Sequence, residues 1–345
     1  LVGCRPNPSI VSFGSIRMFN KLEAGWSKPG WMNYALLPLS WLYILLHNLK
    51  FWTYRAGLQK VVRVKAPVIV IGGITVGGSG KTPLVISTVK QLKARGYRPG
   101  VILRGYKGKS TKWPRLVTSD TPVLEVGDEA LLIQVATALP VVIGPDRVQD
   151  AQMLIQECNC NVIVSDDGFQ HLALDRDLNI AVIDSEFGFG NGWCLPAGPL
   201  REPIHGLKRA DILVRNGSFS CTSEENSYTM NMKIKAIRNL SDGKIIDLRD
   251  LKNNPVHVVA ALGNPERFFR QIEELGLDII RHRFVDHHFY RPRDLMFGDD
   301  LPILMTEKDA IKCHDLPYKE RLFVVEAEAV LQDDFFLKIQ SCLGY

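Results

Sequence analysis

Lys81 and Thr82 close a glycine-rich run, Gly72-Gly73-Ile74-Thr75-Val76-Gly77-Gly78-Ser79-Gly80, and these residue types at this spacing can hold a chain of phosphates. Glycines let successive amide N–H groups turn inward onto phosphate oxygens, a lysine ammonium adds a mobile positive charge, and a threonine hydroxyl suits Mg²⁺. Thr75 stands where the strict pattern G-x-x-x-x-G-K-S/T has its first glycine, and Gly77 and Gly78 restore the lost freedom. Farther on, Ser165-Asp166-Asp167-Gly168-Phe169-Gln170-His171 ends an apolar run, the place where nucleotide enzymes with such loops hold Mg²⁺ or its waters. Gly127-Asp128-Glu129 sets two acids at the opening of a helix, where acids also serve simply as dipole partners. Asp286-His287-His288 offers a carboxylate and two imidazoles, the side chain best matched to proton transfer near neutral pH. Arg104 and Lys107 in a basic turn, and Arg201 in the Gly190–Pro203 loop, are candidate anion contacts; a solvated turn and an ion pair with Glu202 or another acid are the plain alternatives. Thr306-Glu307-Lys308-Asp309 also follows a strand, with Thr306 a natural helix cap.

Periodicity supplies the elements that would position these residues. Val68 to Ile71, the glycine run and Leu84 to Arg95 read as strand, phosphate loop and helix. Further strands are expected at Pro99–Leu103, Val141–Ile143, Val162–Val164, Leu178–Ile183 and Asp211–Arg215, alternating with helices. That alternation implies an α/β fold, a largely parallel sheet with helices on both faces and a ligand crevice beyond the carboxyl ends of its strands. This nucleotide-binding domain is expected over 61–225. The composition turns polar over Ser218–Asn226, and Tyr228–Ile237 and Lys244–Leu248 could pair around Ser241-Asp242-Gly243, giving a two-stranded linker over 226–248. Strand Val256–Ala261, helix Glu266–Leu275 and strands Asp278–Phe284 and Leu301–Met305 then predict a smaller C-terminal α/β domain over 249–345, with no phosphate loop of its own.

Residues 1–60 are of another kind. The uninterrupted apolar stretch Tyr34–Leu46 spans about 20 Å as a helix, short of a bilayer core of about 30 Å. Asn33, Ser40 and His47 recur every seventh residue, so they fall on one side of a helix and leave a wide apolar face elsewhere. Lys28, Lys50 and Arg55 flank the stretch and Trp31, Trp41 and Trp52 are spread along it, as in a helix lying in a membrane surface; a buried core helix and a single span are the alternatives. No A-x-A-like cleavage site follows, which argues against a signal peptide. With 345 residues, 46% hydrophobic and 23% charged, the chain has ample material for a core. Its net charge of +5 comes without a long Lys/Arg block, which does not argue for nucleic acid. The 7 cysteines have neither zinc nor disulfide spacing.

In order along the chain, these motifs resemble one family, the tetraacyldisaccharide 4'-kinases of lipid A biosynthesis. The resemblance covers the glycine-rich loop with its Thr75, Arg104-Gly105-Tyr106, Gly127-Asp128-Glu129, Asp166 to His171, Leu195 to Pro203, Gly263-Asn264-Pro265, Asp286-His287-His288 and Thr306 to Asp309. It implies transfer of the γ-phosphate of ATP to the 4'-hydroxyl of a tetraacyldisaccharide 1-phosphate at the cytoplasmic face of a bacterial inner membrane, by a peripheral or monotopic protein with no obligate protein partner. The family's acceptor-site Asp–His pair matches Asp128 and His287, with His288 as the alternative, and Lys81 joins them as catalytic. Nucleotide contacts would come from Thr75, Gly77, Gly78, Ser79, Gly80, Lys81, Thr82, Arg104 and Gln170. Thr82, Glu129, Asp166 and Asp167 would hold Mg²⁺ directly or through water, and Arg201 and His171 would meet the lipid. Because Asp128 and His287 fall in different expected units, catalysis should require the units to close. A GTPase or nucleotide-driven metal chaperone could use the same loop, but guanine recognition needs N/T-K-x-D and Lys308 comes one position late. A non-catalytic membrane ATP-binding adaptor is the other alternative.

Overall fold

Val68–Gly72 is buried along its whole length because a parallel strand lies on each side of it. In the computed structural model, which describes residues 25–217, 226–314 and 316–343, this is β1 of a first set. The set continues with β2 (Pro99–Leu103), β3 (Arg115–Val117), β4 (Val141–Ile143), β5 (Val162–Asp166), β6 (Leu178–Asp184) and β7 (Ile212–Asn216). Their order is β3-β4-β2-β5-β1-β6-β7, all parallel except β3. Neighbours on both edges and helices on both faces explain the continuous Val/Ile runs in place of alternation. Successive side chains of β1 point to opposite faces. Ile69 and Ile71 pack with Leu84, Val85 and Val89 of α3 (Lys81–Ala94) and Ile133 of α5 (Asp128–Thr137), past the short α4 (Val123–Val126). Val68 and Val70 pack with Ala151 and Leu154 of α6 (Arg147–Gln156) and with Phe169.

The strand expected at 228–237 is present as β8 (Ser227–Asn239), but its pairing differs from the expectation. Lys244–Leu248 contributes one bridge, Arg238 to Ile245. The first residues of β8, Ser227 to Met230, pair in parallel with β7, and from Asn231 onward it pairs antiparallel with β12 (Leu322–Val330). No local signal marks that pairing, because the partner lies far down the chain and no short turn joins the two. Beyond β12 come β11 (Ile303–Thr306), β9 (Val256–Ala260) and β10 (Ile279–Arg283), all parallel to one another. β8 therefore leaves the first set past the carboxyl end of β7, and the second set runs back against it. The carboxyl ends of the two sets face each other, and the loops leaving them share one space.

Helices α7 (Leu248–Leu251), α8 (Pro265–Glu274) and α9 (Glu307–Ala310) accompany the second set. The last, α10 (Asp333–Cys342), does not stay with it: Phe335, Phe336 and Ile339 join Val85, Val89 and Leu92 in the core of the first set. Residues 1–24 of the N-terminal segment, and 218–225 of the polar stretch, lie outside the described residues.

At the N-terminal end, α1 (Trp31–Ala35) and α2 (Leu37–Arg55) are turned inside out. Asn33 and Ser40 are buried, while Trp41, Leu42, Leu45, Leu46, Leu49 and Trp52 are each more than half exposed. The polar side faces inward because it docks on a loop whose carbonyls have no strand partner. Asn33 Nδ2 donates to Ala197 O (3.0 Å), Ser40 Oγ to Cys194 O (2.9 Å) and Tyr43 OH to Arg201 O (2.6 Å). Among the described residues no helix is long and apolar enough to cross a membrane.

Candidate functional site

A cavity of about 1270 Å³ opens between the facing strand ends. Its floor is the glycine-rich loop, which joins β1 to α3. Gly77 and Gly80 take φ of +106° and +92°, values a side chain would disfavour. The Gly190–Pro203 loop braces it: Val76 N donates to Pro199 O (2.9 Å), Arg201 N to Ile74 O (2.6 Å), and the buried Thr75 bridges to Leu200. From the other side Asn216 Nδ2 donates to Ser79 O (3.1 Å). Lys81 Nζ lies 3.5 Å from Ser79 Oγ and 3.7 Å from Asp167 Oδ1. Thr82, Gly78 and Arg104 line the cavity.

Asp166 is the last residue of β5, and its Oδ1 is buried without a hydrogen-bond partner among the described residues. Burial, Glu129 and Asp167 push its carboxyl up to about 8 against the pull of Lys81 and Arg147. A buried carboxylate oxygen with no hydrogen bond is suited to a cation. Mg²⁺ takes one or two carboxylates and fills the rest of its octahedron with water and phosphate oxygens, so Asp166, with Thr82, Glu129 and Asp167 on the same cavity wall, fits it. No all-protein cage of three or more His, Cys, Asp or Glu is present among the described residues. Asp167, at φ +50°, receives Arg201 Nη1 at 2.6 Å. Burial works to raise its carboxyl, but Lys81 and Arg201 bring it below the usual range.

Asp128 opens α5 and is buried, and His287 reaches it from the loop after β10, with Nδ1 2.8 Å from Oδ2 and 2.9 Å from Oδ1. His287 sits at φ +63°, a left-handed backbone that costs a non-glycine residue roughly 1–3 kcal/mol. Tyr106 stands edge-on to its ring at 5.6 Å. Around the pair lie Lys308, with Nζ 3.3 Å from His287 Nε2 and 3.1 Å from Asp286 Oδ1, and Lys312, 4.0 Å from Asp128 Oδ2 and 2.7 Å from Asp309 Oδ1. Burial raises the Asp128 carboxyl, but the His287 hydrogen bond and the two ammonium groups outweigh it and leave the group below its ordinary range. His288 turns away, bonding Asp294 at 3.0 Å and stacking on Phe284 at 4.9 Å. Asp128, on the side of the first strand set, and His287, on the side of the second, are in hydrogen-bond contact across the cavity.

Other expected contacts are engaged locally. Gln170 Nε2 donates to Gly73 O (3.0 Å) and Glu202 Oε1 (2.6 Å), so it braces the phosphate loop from behind. Arg201 pairs with Asp167, whereas Glu202 pairs with Arg209. His171 lines the cavity, and burial with nearby Arg147, Lys50 and Arg104 lowers its imidazole to about 4, leaving it neutral near pH 7. Asp286 and Lys308 lie inside motifs that the sequence singles out, though without a role assigned to either; Lys312, fully enclosed, leaves no signal there.

A family profile described as tetraacyldisaccharide-1-P 4'-kinase (LpxK) matches residues 32–343. The tetraacyldisaccharide 4'-kinase of Ruthia magnifica is 42% identical over 314 residues, covering 91% of this chain and 98% of the relative. That of Nitrosococcus oceani is 45% identical over 280 residues, 81% and 82% of the two chains. A crystal structure of LpxK from Aquifex aeolicus, described as a complex with ATP, superposes with a TM-score of 0.77 at 30% identity, over 90% of this chain and 99% of that one. The chain belongs to the tetraacyldisaccharide-1-P 4'-kinase family.

Proposed function

We infer that the chain is an ATP-dependent kinase that phosphorylates the 4'-hydroxyl of a tetraacyldisaccharide 1-phosphate in lipid A biosynthesis. One observation carries the residue-level reading: a buried Asp128–His287 pair at 2.8 Å opens on the same cavity as the phosphate loop. A sugar hydroxyl has a pKa far above 7 and attacks better as a base accepts its proton, while the transfer itself depends on positioning and on neutralising phosphate charge. With Asp128 ionised, His287 donates Nδ1–H to it and leaves Nε2 as the acceptor for the hydroxyl proton. Amides of Gly77 to Gly80 and the Lys81 ammonium hold the donor phosphates. Thr82, Asp166, Asp167 and Glu129 are the residues that would hold Mg²⁺, which would offset negative charge on the nucleotide phosphates. Arg201 and Arg104 are the cations for lipid and nucleotide phosphate, and neutral His171 serves as a hydrogen-bonding group.

The exposed Trp/Leu face of α2 supports a membrane-surface role for this helix, with the protein peripheral at the cytoplasmic face of the inner membrane. The test is phosphate transfer from labelled ATP, with Mg²⁺, into the tetraacyl lipid. Absence of label from lipid with folded wild type overturns the function, and equal loss in His287→Ala and His288→Ala overturns the choice of base.

A further inference from the structure

Lys308 is the ammonium group at the dyad that lines the cavity and that neither the proton relay nor the phosphate loop employs. It stands at the start of α9 and is only 15% exposed. Its ammonium lies 3.3 Å from His287 Nε2, 3.1 Å from Asp286 Oδ1 and 3.7 Å from Glu129 Oε1. In the proposed relay Nδ1–H of His287 goes to Asp128 and Nε2 is left to accept; Lys308 is the donor beside that nitrogen, with Asp286 Oδ2 3.6 Å from it. An acceptor hydroxyl must reach that same nitrogen. Lys308 and the acceptor therefore compete for one lone pair, and Lys308 has three carboxylates within 4.0 Å, Asp286, Glu129 and Asp128, to hold it when it withdraws.

We propose that Lys308 is a second cation of the transfer step: it caps His287 Nε2 while no acceptor is bound, yields that position to the hydroxyl, and turns its ammonium to the oxygens of the transferring phosphoryl group. The proposal rests on the phosphotransfer reading above. In the step, the acceptor oxygen bonds to the γ-phosphorus. The bond from that phosphorus to the β–γ bridging oxygen breaks, with its electron pair staying on ADP. The hydroxyl proton passes to His287 Nε2, and Lys308 keeps its own protons throughout. One preorganised donor aimed at developing charge contributes about 10²- to 10³-fold in rate.

The full chain, in detergent micelles with labelled ATP, Mg²⁺ and tetraacyldisaccharide 1-phosphate, tests it. Lys308→Met is expected to lower kcat about 10²- to 10³-fold, with KM for ATP and for lipid changed less than about threefold. Lys308→Cys, equally impaired, is expected to recover at least about tenfold on alkylation with 2-bromoethylamine, which rebuilds a side chain of nearly lysine length ending in an ammonium; treated wild type controls for the native cysteines. A kcat for Lys308→Met within about threefold of wild type overturns the proposal. So does failure of aminoethylation to restore transfer in a variant whose urea midpoint matches wild type. Asp128→Asn runs alongside. If it transfers at the wild-type rate, the dyad and the proposal both fall; if it is inactive while Lys308→Met is active, the dyad stands and Lys308 is removed from the step.

Discussion

Asp128 carries its charge because of what encloses it, since burial alone would favour the neutral acid. His287 in front and two ammonium groups 4.0 Å away hold the anion, which in the proposed relay orients the imidazole and does not itself take the proton. Asp128→Asn and His287→Ala should each lower kcat about 10²- to 10⁴-fold. Because the two act as one unit, the double variant should be scarcely worse than either single one; steady-state transfer assays on all three check this. Lys312 and Asp309 form a fully enclosed pair behind them, and Asp309 also accepts from Ala261 N (3.1 Å) and Thr306 Oγ1 (2.9 Å). Asp309→Ala leaves the buried Lys312 ammonium with only the more distant Asp128, at 4.0 Å, among the carboxylates described around it, and should cost about 3–5 kcal/mol, seen as a lowered urea midpoint with an unchanged m-value. Much of this centre was legible in the sequence, where the phosphate loop, the aspartates after β5 and the Asp-His-His run carry local patterns. The flanking lysines were not, because a cation is recognised by the carboxylates folded around it, and those come from separate loops.

At the scale of elements, strands flanked by turns were legible to within a residue or two, as Pro99–Leu103 and Val141–Ile143 illustrate. β12 and α10 were not, since each takes its place from a partner remote in sequence. The seven-residue recurrence in α2 located its polar side, but only the docking loop explains why that side is the buried one. Replacing Trp41, Leu45 and Leu49 together by Ser should weaken co-sedimentation with anionic vesicles and leave the thermal midpoint near wild type, since all three project into solvent. On β9 and β10, His257 Nδ1 meets His282 Nε2 at 2.8 Å, with Asp299 3.1 Å from His257 Nε2. Burial and then His257 hold His282 below the usual imidazole range, against the raising effect of Asp299. A depressed imidazole adds stability that is complete above its unfolded value of about 6.5 and is lost as pH falls through the folded value. The urea midpoint of wild type should therefore drop more on acidification below about pH 6.5 than that of His282→Gln.

For the whole molecule, β8 serves as a ruler laid across both strand sets. Its register against β7 fixes where the first set ends, and its register against β12 fixes where the second begins. Between Glu326 and Ala327 that second register shifts, skipping Lys235 on β8. Lys235 is the extra residue of a bulge, so its deletion leaves the pairs on either side matched as before and removes the local bend and added twist that the bulge gives β8. That changes the angle at which the two strand sets meet, and the resulting chain should transfer phosphate from labelled ATP more slowly with every residue of the cavity still in place. The alignment of the catalytic groups rests on one bend, settled far from the atoms that react.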